Sequence, residues 1–182
     1  MAGKYIEAMK SCQDGLKCCG DNPDLTNLVN ELKPLAERAE AALRASMTGP
    51  EILKAEGNEL FKAAKFELAI EKYTQVIEKV PYTYGEPMDP LLISCYNNRA
   101  ACNQQLGAFR KVTEDCSIVI EQDPRNIKAL LRRGLALESL EKFRGALQDI
   151  RAVLAIDGTV AMANQAQHRL GSQVRRMKAA KK

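Results

Sequence analysis

Apolar and small residues recur at three- and four-residue steps along most of the chain, the spacing of a buried helical face. Between Lys4 and Leu16 they fall at Tyr5, Ala8, Met9, Cys12 and Leu16. The stripe stops at Cys19-Gly20-Asp21-Asn22-Pro23, a run of turn formers. From about Asp24 to Ala45 a second stripe carries Leu25, Leu28, Val29, Leu32, Leu35, Ala36, Ala39 and Leu43. It predicts a long helix that Pro34 kinks. Ser46-Met47-Thr48-Gly49-Pro50 then reads as a linker.

From Pro50 onward the pattern repeats. The first block has Leu53, Gly57, Phe66, Ala69, Tyr73, Val76 and Pro81; the second has Tyr96, Ala100, Phe109, Val112, Cys116, Val119 and Pro124. The third has Leu130, Gly134, Phe143, Ala146, Ile150, Val153 and Gly158. Internal spacing is identical in all three, with blocks one and two offset by 43 residues and blocks two and three by 34. A 34-residue helix–turn–helix unit with this alternation of small and large positions is the tetratricopeptide pattern. Each helix pair leaves an apolar face that the next pair covers, so the prediction is an all-α solenoid of antiparallel helix pairs. Gly57, Ala100 and Gly134 are expected to lie against Ala69, Val112 and Ala146, with the three phenylalanines at the turns. Val112 replaces the alanine of that pattern and should shift local packing.

Three segments follow: an N-terminal part over 1–49, three repeats over 50–158, and a capping helix with a basic tail over 159–182. Tyr5, Ala8, Cys12 and Gly15 also fit the second helix of a repeat, so the sequence reads as starting halfway through one. The nine extra residues between blocks one and two fall in the proline- and glycine-containing stretch 81–90, read as a tolerated surface loop with Tyr82 and Tyr84. Val160, Ala163, Ala166, Leu170, Val174 and Met177 outline the capping helix, and Arg175 to Lys182 a solvated basic end.

Composition narrows the function classes. Charged residues make up 27% of the sequence, hydrophobic residues 46%, and tryptophan is absent. The longest apolar runs are four or five residues, too short to span a bilayer, and MAGKYIEAMK lacks the apolar centre of a signal peptide. A cytoplasmic location is the expectation. A net charge of +4 does not by itself imply nucleic acid, and no aromatics alternate with the basic residues to stack bases. The six cysteines form no CxxC pair and His168 is the lone histidine, so no zinc site, cofactor or enzyme activity is expected. Cys95, Cys102 and Cys116 read as reduced thiols serving as small apolar filler. Cys18 and Cys19 are expected to fall in a turn.

In such a stack the first helix of each pair lines the concave side. Block one then offers Lys54 and Asn58 to the groove, block two Asn98, and block three Lys128 and Arg132, four residues apart on one helical face. Three cations and two amides with no carboxylate suit a ligand carrying two carboxylates close together. A C-terminal Asp is such a ligand. Asparagine is a poor helix former, so two of them in helical stretches need a reason. Phe61 and Gln105 face the groove by repeat position, whereas Leu60, Phe66 and Tyr73 read as core.

These residues resemble the tetratricopeptide co-chaperones whose carboxylate clamp holds the Glu-Glu-Val-Asp tail of the ninety- and seventy-kilodalton heat-shock chaperones. Lys54 and Asn58 in KAEGN, Asn98 in YNNRAAC, and Lys128 and Arg132 in NIKALLRRG fill all five clamp positions. The wording GNELFK, NNRAAC and ALLRRG is nearest to the mitochondrial-import-associated, sperm-associated-antigen and myosin-chaperone members, over roughly Pro50 to Leu170. The resemblance implies a non-enzymatic adaptor whose partners are the C-terminal tails of chaperones, without nucleic acid or membrane insertion. The alternative is a scaffold whose groove takes another peptide or protein, the five residues being incidental. Oligomeric state and preferred chaperone are not encoded in the motif.

Overall fold

The computed structural model describes residues 2–20, 22–83 and 85–179. Met1, Asp21, Tyr84 and residues 180–182, with the side chains of Ala2, Cys19, Leu43 and Arg44, lie outside the described set. Nine helices occur among the described residues: α1 Ala2–Cys19, α2 Pro23–Ser46, α3 Gly49–Lys62, α4 Phe66–Lys79, α5 Pro90–Gln105, α6 Phe109–Gln122, α7 Ile127–Ser139, α8 Phe143–Ile156 and α9 Ala161–Ala179. They form two compact units, 1–52 and 53–182.

In the first unit α1 packs against α2. Gly20 turns the backbone with φ +70°, and Asn22 starts α2 by accepting at Oδ1 from the Asp24 and Leu25 amides at 3.0 and 3.2 Å. Pro23 takes the first helical position, where a missing N–H costs nothing. Helix α2 runs on past Pro34 to Ser46. Cys12 and Ala36 are buried, and Gly15 lets Leu25 approach. The stretch read as a linker is short. Only Met47 and Thr48 leave the helix, and the Thr48 amide donates to Glu51 Oε2 at 2.7 Å at the head of α3.

In the second unit α4 to α9 stack sequentially, each against the next. The repeat is visible in the turns. Ala64, Gly107 and Glu141 hold the same place in each pair, and all three have positive φ: 56°, 70° and 58°. Following amides complete the motif, Lys65, Ala108 and Lys142 donating to the carbonyls of Leu60, Asn103 and Leu137 at 2.8–2.9 Å. Phe66, Phe109 and Phe143 open the second helix immediately afterwards.

Packing between paired helices departs from the sequence expectation in one respect. The tightest neighbour of Gly57 is the Tyr73 ring rather than Ala69, a Cβ placed there lying 2.8 Å from Cε1. Gly134 meets Ile150 Cδ1 at 3.1 Å before the Ala146 carbonyl at 3.4 Å. The opposing position is one turn further along, and size compensates across it. Repeats one and three pair glycine with a large side chain, whereas repeat two pairs Ala100 with Cys116. The smaller thiol also makes room for Val112, which is fully buried.

Ion pairs follow the same period. Arg99 grips Asp115 through Nε and Nη2 at 3.1 and 2.7 Å, and its Nη1 donates to Thr74 of the preceding pair at 3.0 Å. Thirty-four residues on, Arg133 does the same to Asp149 at 2.8 Å twice and to Ser117 at 3.1 Å. Burial raises the Asp115 carboxyl against the pull of Arg99.

The 81–90 loop is tied down at one point. Met88 is buried, its amide donates to Gln122 Oε1 at 3.3 Å, and Gln122 Nε2 donates to the Tyr82 hydroxyl at 2.9 Å. Helix α9 lays Ala163, Ala166 and Leu170 on Ile150 and Val153 of α8, leaving His168 exposed.

Candidate functional site: a polar groove along the first helices

Helices α3, α5 and α7 line a groove of about 500 Å³. Its walls include Asn58, Phe61, Asn97, Asn98, Lys128 and Arg132, with Tyr73 contributed from α4. Each is delivered by helical spacing. Asn126 caps α7 by accepting from the Ala129 amide at 3.1 Å, fixing the first turn that carries Lys128 and, one turn later, Arg132. Asp89 caps α5 through the Leu91 amide at 2.7 Å, with Pro90 next.

Asn58 and Asn98 meet. Asn58 Oδ1 accepts from Asn98 Nδ2 at 3.0 Å and from the Tyr73 hydroxyl at 2.8 Å. Burial raises the tyrosine's pKa well beyond its ordinary value, so it stays a donor. With its oxygen engaged twice, Asn58 has only N–H donors left to offer. The cost of placing asparagine in helix is offset by this network.

Arg132 is held by one nitrogen and open at another. Its Nε donates to Gln104 Oε1 at 3.3 Å, while Nη1 is buried and has no hydrogen-bond partner. A buried guanidinium nitrogen left unpaired is costly, and an anion entering the groove would remove that cost. Lys128 is exposed at the same wall. Lys54 is half-buried and does not itself line the groove; its charge reaches Cys95, where it opposes the burial that lifts the thiol to about 11.

Of the two further contacts expected, Phe61 lines the groove, where it meets Phe66 edge-on at 5.4 Å between centroids. Gln105 is exposed at the end of α5 and is not among the lining residues. Its neighbour Gln104 is the one that reaches Arg132. The repeat pattern alone does not single out Glu59 and Lys62, which line the groove and pair at 2.7 Å, or Asn97. A signal for Asn97 exists: it lies 43 residues after Lys54, at the equivalent position of repeat two.

A stack of antiparallel helix pairs, each covered by the next, is a solenoid repeat architecture. The protein belongs to the tetratricopeptide-repeat family. It is 31% identical to the solved Arabidopsis OM64 TPR domain, with a TM-score of 0.59, covering 68% of this chain and 95% of that one. The first TPR of Spaghetti (RPAP3), solved bound to the HSP90 peptide SRMEEVD, is 26% identical with a TM-score of 0.61, covering 69% and 92%. Among curated proteins, sperm-associated antigen 1A of Danio rerio is 42% identical over 119 residues, 65% of this chain. The present sequence spans about a quarter of that relative's length. No family model matches it.

Proposed function

We propose that the groove receives a polypeptide C-terminus ending in Asp, and that the protein is a co-chaperone-type adaptor for the Glu-Glu-Val-Asp tails of ninety- or seventy-kilodalton heat-shock chaperones. The observation that carries this is Arg132 Nη1, a buried donor without a partner in the groove that Lys128 and Asn58 also line. Two adjacent carboxylates on a terminal Asp match donors spread over α3, α5 and α7. Lys54, at the edge of this set, adds a third positive charge. The structural neighbour solved with an HSP90 peptide ending in EEVD supports the ligand class. Each charge-assisted bond contributes about 1.5–3 kcal/mol, against the cost of ordering a flexible tail, which points to micromolar binding.

The experiment is calorimetric titration with the pentapeptide Met-Glu-Glu-Val-Asp and its C-terminally amidated twin. The acid should bind, amidation should weaken it about tenfold or more, and Lys128→Ala or Arg132→Ala should do the same. Added salt should weaken it further, because the paired charges are partly exposed. Equal affinity for both peptides, or for neither, rules the reading out in favour of a groove with a different ligand.

A further inference from the structure

The groove holds a second unpartnered buried atom, and it is of the opposite kind. Asn97 Oδ1, like Arg132 Nη1, is buried without a hydrogen bond, and both residues line the same cavity. Several of the groups around it only donate or are engaged, and Asn97 Oδ1 is the acceptor there that is buried without a bond. Lys128 and Arg132 only donate, Asn58 has its oxygen taken, and Glu59 is solvent-exposed and paired with Lys62 through one oxygen. Inorganic anions or a bare carboxylate would satisfy Arg132 and leave Asn97 as it is. A ligand that satisfies both brings an acceptor and a donor into the one cavity.

We propose that Asn97 accepts the backbone N–H of the ligand's last residue, so that the groove reads a peptide terminus as an amide hydrogen and a carboxylate together. This rests on the reading of the groove as a receptor for C-termini. In a terminal residue the N–H and the carboxylate flank one Cα, so they arrive as a unit whatever the side chain. Ala101, one turn beyond Asn97 on α5, also lines the groove and presents only a methyl, which leaves the approach open. Asn97 thereby fixes the direction and depth of the tail, while the cations supply attraction. A turned Asn97 amide would bury Nδ2 and donate instead, an arrangement the experiment separates.

The test compares Met-Glu-Glu-Val-Asp with a depsipeptide in which the last residue is 2-hydroxysuccinate joined by an ester. The ester keeps both terminal carboxylates and removes one N–H. Against the wild-type protein the ester should bind about tenfold more weakly. Asn97→Ala should bind the amide peptide about tenfold more weakly than wild type, and should not distinguish ester from amide. Alanine is the better helix former, and thermal unfolding of the variant should be undiminished. Wild type that binds both peptides equally, while still rejecting the C-terminally amidated peptide, overturns the role of Asn97 and leaves the clamp standing. An equal ester penalty in wild type and Asn97→Ala overturns it too. No binding of any peptide, or no effect of C-terminal amidation, overturns both.

Discussion

Glu56 and Lys72 join α3 to α4 at 2.6 Å, at the places where the next two repeats set Arg99 on Asp115 and Arg133 on Asp149 with the signs reversed. The bond is therefore a property of the repeat position, and the order of charge is free. The first pair is the more exposed, its side chains 33% and 44% accessible against 6% for Asp115.

Asp115→Ala should cost about 3 kcal/mol, because it leaves the Arg99 guanidinium buried without its carboxylate. The exchange Arg99→Glu with Asp115→Lys, which copies the first repeat, should recover most of that loss. Urea unfolding of the single and double variants decides it. A double variant no better than the worse single one would show that the Thr74 contact or the planar fork, rather than charge pairing, holds the position.

Glycine at the paired-helix contact should tolerate alanine unequally. At Gly57 a Cβ comes within 3.1 Å of three atoms of a Tyr73 ring that Asn58 tethers through its hydroxyl, so Gly57→Ala should lose about 1–3 kcal/mol. At Gly134 the nearest atom is the terminal methyl of Ile150, and alanine brings about 1 kcal/mol of helix propensity, so Gly134→Ala should be near neutral. Thermal melts of the two variants give the contrast. Gly57→Ala should also weaken tail binding, since it disturbs Tyr73 and through it Asn58.

The three left-handed turn positions make a matched series. Ala64→Gly and Glu141→Gly should each stabilise by about 0.5–1 kcal/mol, relieving a backbone strain that side chains bear poorly. Gly107→Ala should cost a similar amount, as nothing lies within 4 Å to add a steric term. Chemical denaturation midpoints report all three, and a destabilised Ala64→Gly would contradict strain at that turn.

Burial pushes the Cys116 thiol up to about 12 and those of Cys95 and Cys102 to about 11. At pH 8 a disulfide reagent should label exposed Cys18 quickly and these three only after unfolding. Native labelling of Cys116 at the rate of Cys18 would mean the repeat-two core opens far more easily than its packing implies.

Much of this is legible in the sequence. The 34-residue period, the buried small thiols and the helices that hold Asn58, Asn98, Lys128 and Arg132 follow from spacing, because repeat position dictates which way a helical residue points. What spacing does not supply is pairing between side chains. Tyr73 reads as core and is core, yet its hydroxyl reaches Asn58, and only rotamers show that. The same holds for Gln104 rather than Gln105 near Arg132, since adjacent helical residues differ by about 100° and the terminal turn blurs the assignment. Asn97 stands beside Asn98 in the string NNR, and its importance lies in a bond it does not make. For α1 and α2, the sequence offers a half-unit and a long helix, and the structure adds that the two pack on each other around Cys12, Ala36 and the Gly15–Leu25 approach.

The third nitrogen of Arg99 and of Arg133 belongs to the previous repeat, through Thr74 and Ser117. Each such arginine therefore has its protection divided between two neighbours. Loosening α4 strips a bond from α5, and loosening α6 strips one from α7. Amide hydrogens along α4 to α8 should then exchange with nearly one free energy, as a single opening event, rather than in a gradient from the ends inward.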